Sequence, residues 1–264
     1  MIKSTVAPSR PTAMRTSAPP VPDPATAVES VRTWAAATPE LARRLASGVP
    51  PAQVAMHRGV ALLRENRTSD AVTSLAAAIA LSPADPSLWT PIAVALDRSG
   101  RAGEAAWCLE RSLALAPDQP DAWVLLGLVR EKIDDPAGAE GAYREAVTRW
   151  PALRVGWQCL GLLLERRRDY AAAVAAFEAS AALRGGDGAD WANVGRLRYQ
   201  QVALPEACDA YEAALRVDPA NTHYRRMLEK ARFVRRLLEG ESETTLRFDG
   251  AARVPGQLFV LRGG

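Results

Sequence analysis

His57 and His223 are the only histidines in 264 residues. Imidazole is the usual base and a common metal ligand near neutral pH, so most side-chain chemistry would start from one of them. Neither has cysteines at ligand spacing, and they fall at opposite ends of the chain, so they cannot share a metal. A nucleophilic triad would need a serine and an acid around one of them, and nothing in the sequence places them there. No strand precedes a glycine-rich turn, so no phosphate loop is expected. The carboxylates Glu131, Asp134, Asp135, Glu165 and Asp169 lie near helix ends and turns, where they read as solvated faces. Cys108, Cys159 and Cys208 are odd in number and lack metal spacing, which reads as reduced thiols in a cytosolic protein. The expectation is a chain that is not an enzyme, with no metal and no cofactor.

What the sequence repeats is a tryptophan every 34 residues: Trp89, Trp123, Trp157, Trp191. A period of this size marks an array of supersecondary units. Units beginning at Ala52, Pro86, Pro120, Arg154 and Gly188 keep three small slots. The eighth residues are Gly59, Ala93, Gly127, Gly161 and Gly195; the twentieth are Ala71, Ala105, Ala139, Ala173 and Ala207. The twenty-seventh are Ala78, Ser112, Ala146, Ser180 and Ala214. Small residues are needed where two antiparallel helices cross closely, and Leu75, Leu109, Tyr143, Phe177 and Tyr211 fill the space beside them. Pro83, Pro117, Pro151 and Pro219 end the second helix of their units.

The run Trp–x–x–Leu–Gly at 123–127 and 157–161, with these alanines, aromatics and prolines, resembles the tetratricopeptide repeat over about residues 52–221. The resemblance implies an all-α fold: a right-handed solenoid of five helical hairpins closed by a capping helix. Two positions depart from the pattern. Ala55 stands in the tryptophan slot of the first unit, and Gly185 in the proline slot of the fourth, within Leu183–Gly188. Glycines do not fix a turn as proline does, so that run is either a hinge or simply another turn.

The remaining segments are read from composition. Residues 1–24 are rich in Pro, Ser and Thr and are expected to be disordered. Residues 25–49 are helical by the spacing of Val28, Val31, Trp34, Leu41 and Leu45 but do not follow the repeat template. They either cap the first unit or fold into the groove. Residues 50–221 hold the five units, and 222–239 form a charged helix suited to covering the last apolar face. Residues 240–264 are an extended tail with strand-like stretches at 244–248 and 257–261, a candidate β-hairpin. No run of 18 apolar residues exists, so no membrane span is expected. A net charge of +3 is too small to argue for nucleic acid or a membrane surface.

The resemblance further implies that the first helix of each unit lines the concave face, where ligands lie. The ninth residues, Val60, Val94, Leu128 and Leu162, give an apolar stripe, with Met56, Val124, Leu125 and Gln158 beside it. Arg196 follows in the fifth unit and Lys230 at the same step of the terminal helix, with Asn193 and Arg226 adjacent, giving a basic, amide-bearing end. The stripe is either core buried by curvature or a groove for a peptide or helix. The basic end either binds a carboxylate or acidic stretch or merely caps the array. Arg64, Arg98, Lys132 and Arg166 recur at helix ends and suit the helix dipole. The favoured reading is a cytoplasmic scaffold, an adaptor or chaperone-like protein, gripping another protein's segment in the groove. The alternative is a partner-binding or regulatory part of an enzyme whose catalytic portion lies elsewhere.

Overall fold

The computed structural model describes residues 17–184 and 186–239. These form thirteen α-helices, one 3-10 turn (Pro86–Leu88) and no strand. The first pair, α1 (Pro24–Ala37) and α2 (Pro39–Ala46), is followed by hairpins in the 34-residue register. These are α3 (Pro51–Arg64) with α4 (Thr68–Leu81), α5 (Trp89–Arg98) with α6 (Ala102–Leu115), and α7 (Pro120–Lys132) with α8 (Pro136–Arg149). Then come α9 (Arg154–Arg166) with α10 (Tyr170–Ala182), α11 (Gly188–Gln200) with α12 (Leu204–Val217), and the terminal helix α13 (Thr222–Leu238). Two compact units divide the chain at Gly185/Gly186; the first carries α1–α10 and the second α11–α13. Residues 1–16, Gly185 and the tail 240–264, with its two strand-like stretches, lie outside the described residues.

Every hairpin turns by the same device. Asn66, Gly100, Asp134, Arg168 and Val202 all adopt positive φ, between 60° and 80°. The N–H of the next residue then reaches back to a helix-end carbonyl. Arg67 donates to Leu62, Arg101 to Leu96 and Asp135 to Arg130 at 2.9 Å; Asp169 donates to Leu164 and Ala203 to Arg198 at 3.0 Å. This closure satisfies carbonyls that the helix leaves open. A β-branched residue such as Val202 is strained there, by roughly 1–2 kcal/mol.

Within each hairpin the small eighth slot and the large twenty-fourth slot form one contact. A Cβ placed on Gly59 would lie 2.5 Å from Leu75 Cγ, and one on Gly127 would lie 2.3 Å from Tyr143 Cε1. On Gly161 it would stand 3.0 Å from Phe177 Cε2, and on Gly195 2.9 Å from Tyr211 Cε1. Between units, the tryptophan and proline slots also join. The indole of Trp89 donates to the Pro83 carbonyl at 3.1 Å, Trp123 to Pro117 at 3.0 Å, and Trp157 to Pro151 at 2.8 Å.

The recurrent basic residues do more than suit the helix dipole. Arg98 donates to the Leu63 carbonyl at 3.0 Å, Lys132 pairs with Asp97 at 2.6 Å, and Arg166 pairs with Glu131. Each cation thus links the end of its helix to the end of the equivalent helix one unit earlier. Half-exposed pairs of this kind contribute at most about 1 kcal/mol each, so their value lies in alignment.

Of the two placements open for residues 25–49, the structure has α1 packed mainly on α4, the second helix of the first hairpin, with lesser contacts to α2 and α3. The sequence of α4 explains this. Its outward slot holds Ala76, where the later units have Glu110, Arg144, Glu178 and Glu212. Val72, Ala76 and Ala77 are buried in consequence. Arg58 fixes the arrangement: its guanidinium stacks 4.3 Å from the Trp34 ring of α1 and bonds the Ser74 hydroxyl of α4. Burial holds its pKa below the usual arginine value.

Candidate functional site

In the first compact unit, α7 and α9 lie side by side as the first helices of consecutive hairpins. Their ninth-slot residues stay in water: Leu128 is 38% and Leu162 44% exposed. Val155, two turns before Leu162 on α9, is 43% exposed and extends the strip. Spacing could have found Val155, since seven residues separate it from Leu162 on one helical face. Further toward the N-terminus the strip sinks: Met56, Val60 and Val94 are half-buried, as are Leu125 and Gln158. Val124 does not belong to the strip, because it is only 5% exposed. The four-residue step from Val124 to Leu128 overshoots a helical turn by about 40°. That offset turns Val124 toward the side of Gly127, where α7 receives the Tyr143 ring of α8.

A polar group sits one helical turn from each exposed leucine. The Tyr143 hydroxyl passes Gly127 and donates to Glu131 Oε1 at 2.6 Å, and it also bonds the Cys159 thiol of α9. Glu131 in turn pairs with Arg166. Burial pushes the Tyr143 pKa up, and the neighbouring Cys159 pushes it the same way. This phenol stays protonated and serves as a fixed donor. Sequence reasoning placed Tyr143 only as a space-filler and missed this polar reach.

In the second compact unit, α11 and α13 carry the basic candidates. Arg196 donates to Asn193 Oδ1 at 3.3 Å, and Lys230 Nζ stands 5.2 Å from the Tyr199 ring centroid. Arg226 and Lys230 are exposed, whereas Asn193 and Arg196 are half-buried. Burial raises the Tyr211 pKa, against which the nearby Arg196 acts. Lys230 and Arg196 thus each lie near a tyrosine of the same unit, Asn193 bonds Arg196, and Arg226 lies one turn before Lys230.

Burial pushes the Cys108 thiol up to about 12 and raises Cys159 and Cys208 as well, which keeps all three protonated at neutral pH. Among the described residues, no group of three or more His, Cys, Asp or Glu side chains could hold a metal ion. No described helix is long and apolar enough to cross a membrane.

Comparison with known proteins agrees with this architecture. A family model described as tetratricopeptide repeat matches residues 26–86 and 90–153, so the match takes in the α1–α2 pair that lies outside the 34-residue register. Among solved structures, MamA of Desulfovibrio magneticus RS-1 (residues 41 to the end) aligns with TM-score 0.57 and 18% identity, over 65% of this chain and 97% of that one. YrrB, titled a TPR protein with an unusual peptide-binding site, aligns with TM-score 0.55 and 17% identity, over 68% and 91%. PilF of Pseudomonas aeruginosa aligns with TM-score 0.55 and 17% identity, over 72% and 93%. At these identities the likeness is one of fold. No curated protein matches the sequence. The hairpin register, the paired small and large slots and the family match together identify tetratricopeptide repeats in this chain.

Proposed function

We propose that this chain is a non-enzymatic interaction scaffold of a reducing compartment. It binds the apolar segment of a partner protein on the α7–α9 face and an acidic stretch on the α11–α13 face. The observation that carries the reading is the exposure of Leu128, Val155 and Leu162 at 38%, 43% and 44%. These are large apolar side chains on two neighbouring helices whose other apolar residues are buried or half-buried. Such a patch gains free energy when a partner removes it from water, at roughly 25 cal/mol per Å². Glu131, Arg166 and Lys132 are already engaged in pairs, so the rim of this face favours a neutral, apolar segment.

The test is substitution with separate readouts. Leu128→Arg and Leu162→Arg should each melt within a few degrees of wild type, because each side chain is already solvated. Each should reduce partner capture about tenfold or more, since a charge replaces buried apolar contact. Collapse of the fold would make these residues core. Normal melting with normal capture would move the site off this face.

A further inference from the structure

The terminal helix α13 carries six cations, Arg225, Arg226, Lys230, Arg232, Arg235 and Arg236, against the single acid Glu229. Its Leu228 and Ala231 are buried, and α13 packs on α12. Several cations are occupied within this compact unit. Arg232 bonds Glu212 at 2.7 Å, Arg225 bonds the Pro219 carbonyl at 3.0 Å, and Arg235 stands 3.7 Å from Glu239. The opposite face mixes cations with apolar side chains. Arg226, Lys230, Phe233 and Leu237 follow one another at the four- and three-residue steps that keep one helical face. Phe233 is 38% and Leu237 43% exposed, and Arg236 flanks them. Arg226 and Arg236 have no ion-pair or hydrogen-bond partner among the described residues.

We infer that this stripe docks an acidic amphipathic segment of a partner protein. The occupant has apolar residues on one face that seat on Phe233 and Leu237, and carboxylates on its flanks that pair with Arg226, Lys230 and Arg236. Charge complementarity selects an acidic occupant, because a second copy of this helix would oppose cation to cation. The geometry favours a polypeptide over a bilayer. Lys230 leans on Tyr199 of α11, the helix that also carries Arg196 and Asn193, so its cation is held against a second helix. Basic amphipathic helices of this composition dock acidic helical segments as well as acidic membranes, and the vesicle arm of the test below separates the two. The inference rests on the acidic-stretch reading above and specifies its partner: apolar anchors as well as charge, and α13 as the main contact.

The experiment uses the full chain and a fluorescein-labelled helical peptide with Leu and Phe on one stripe and Glu on both flanks. Fluorescence anisotropy should report binding that weakens as salt rises, because exposed charge attraction is screened. The double variant Arg226→Glu with Arg236→Glu, and separately Leu237→Ser, should each weaken binding about tenfold while leaving the melting curve in place. A peptide with Lys for Glu and one with Ser for Leu and Phe should not bind. Binding that ignores both sets of variants, or that matches the Lys peptide, overturns the inference. So does a failure of the acidic peptide alongside variant-sensitive binding to phosphatidylglycerol–phosphatidylcholine vesicles, which would make the stripe a lipid contact. Leu128→Arg should leave peptide binding unchanged. Its effect on natural partners therefore scores the α7–α9 face independently of this one.

Discussion

Gly127 and Tyr143 show how much one atom decides in this fold. A methyl group on Gly127 would meet the buried ring at 2.3 Å, whereas one on Gly161 would stand 3.0 Å from the Phe177 ring. Gly127→Ala should therefore cost about 1–3 kcal/mol by overpacking, less the helix gain of alanine. Gly161→Ala should cost clearly less, because its neighbour needs to yield only a few tenths of an ångström. Urea unfolding of the two variants would rank them; equal midpoints would mean that the eighth slot does not set the hairpin spacing. This contact was legible in the sequence, because the small and large slots recur at 34. The left-handed turn residue was legible only in part. Asn66, Gly100 and Asp134 are types that favour this conformation, but Arg168 and Val202 are not, so residue type marks the position in only three of the five units.

At the scale of elements, the first hairpin differs from the others in what covers it. A polar outward face on α6, α8, α10 and α12 lets those helices meet water, and the charge-free face of α4 instead receives α1. Ala76→Glu, which copies the residue of three later units, would bury a carboxylate under α1. It should cost roughly 2–4 kcal/mol or detach the α1–α2 pair. Limited proteolysis separates these outcomes: cleavage confined to residues 24–46 would mean detachment. Protection unchanged from wild type, with unchanged stability, would mean that α1 does not depend on this face. The outward alanine was visible in the sequence, yet the 34-residue template draws attention to shared slots and away from the one slot where a unit departs. The same bias hid the alignment role of Arg98, Lys132 and Arg166. A helix-end cation satisfies the dipole argument locally, and its partner lies one unit away, in Leu63, Asp97 and Glu131.

For the molecule as a whole, the hairpin slots are occupied by packing, and what remains for function is the residue set that packing leaves exposed. Periodicity identified the fold, because a repeat writes its core many times over. It ranked the candidate face poorly, because exposure depends on local helix crossing: Val60 and Val94 share a slot with Leu128 and Leu162 yet are half-buried. The central proposal is that a partner covers Leu128, Val155 and Leu162. Carbene footprinting of the full chain, alone and with its co-purified partner, tests it most directly by reading side-chain accessibility residue by residue. The expected result is strong labelling of Leu128, Val155 and Leu162 in the free chain and protection of all three in the complex. Unchanged labelling on α7 and α9, with protection elsewhere, would contradict it.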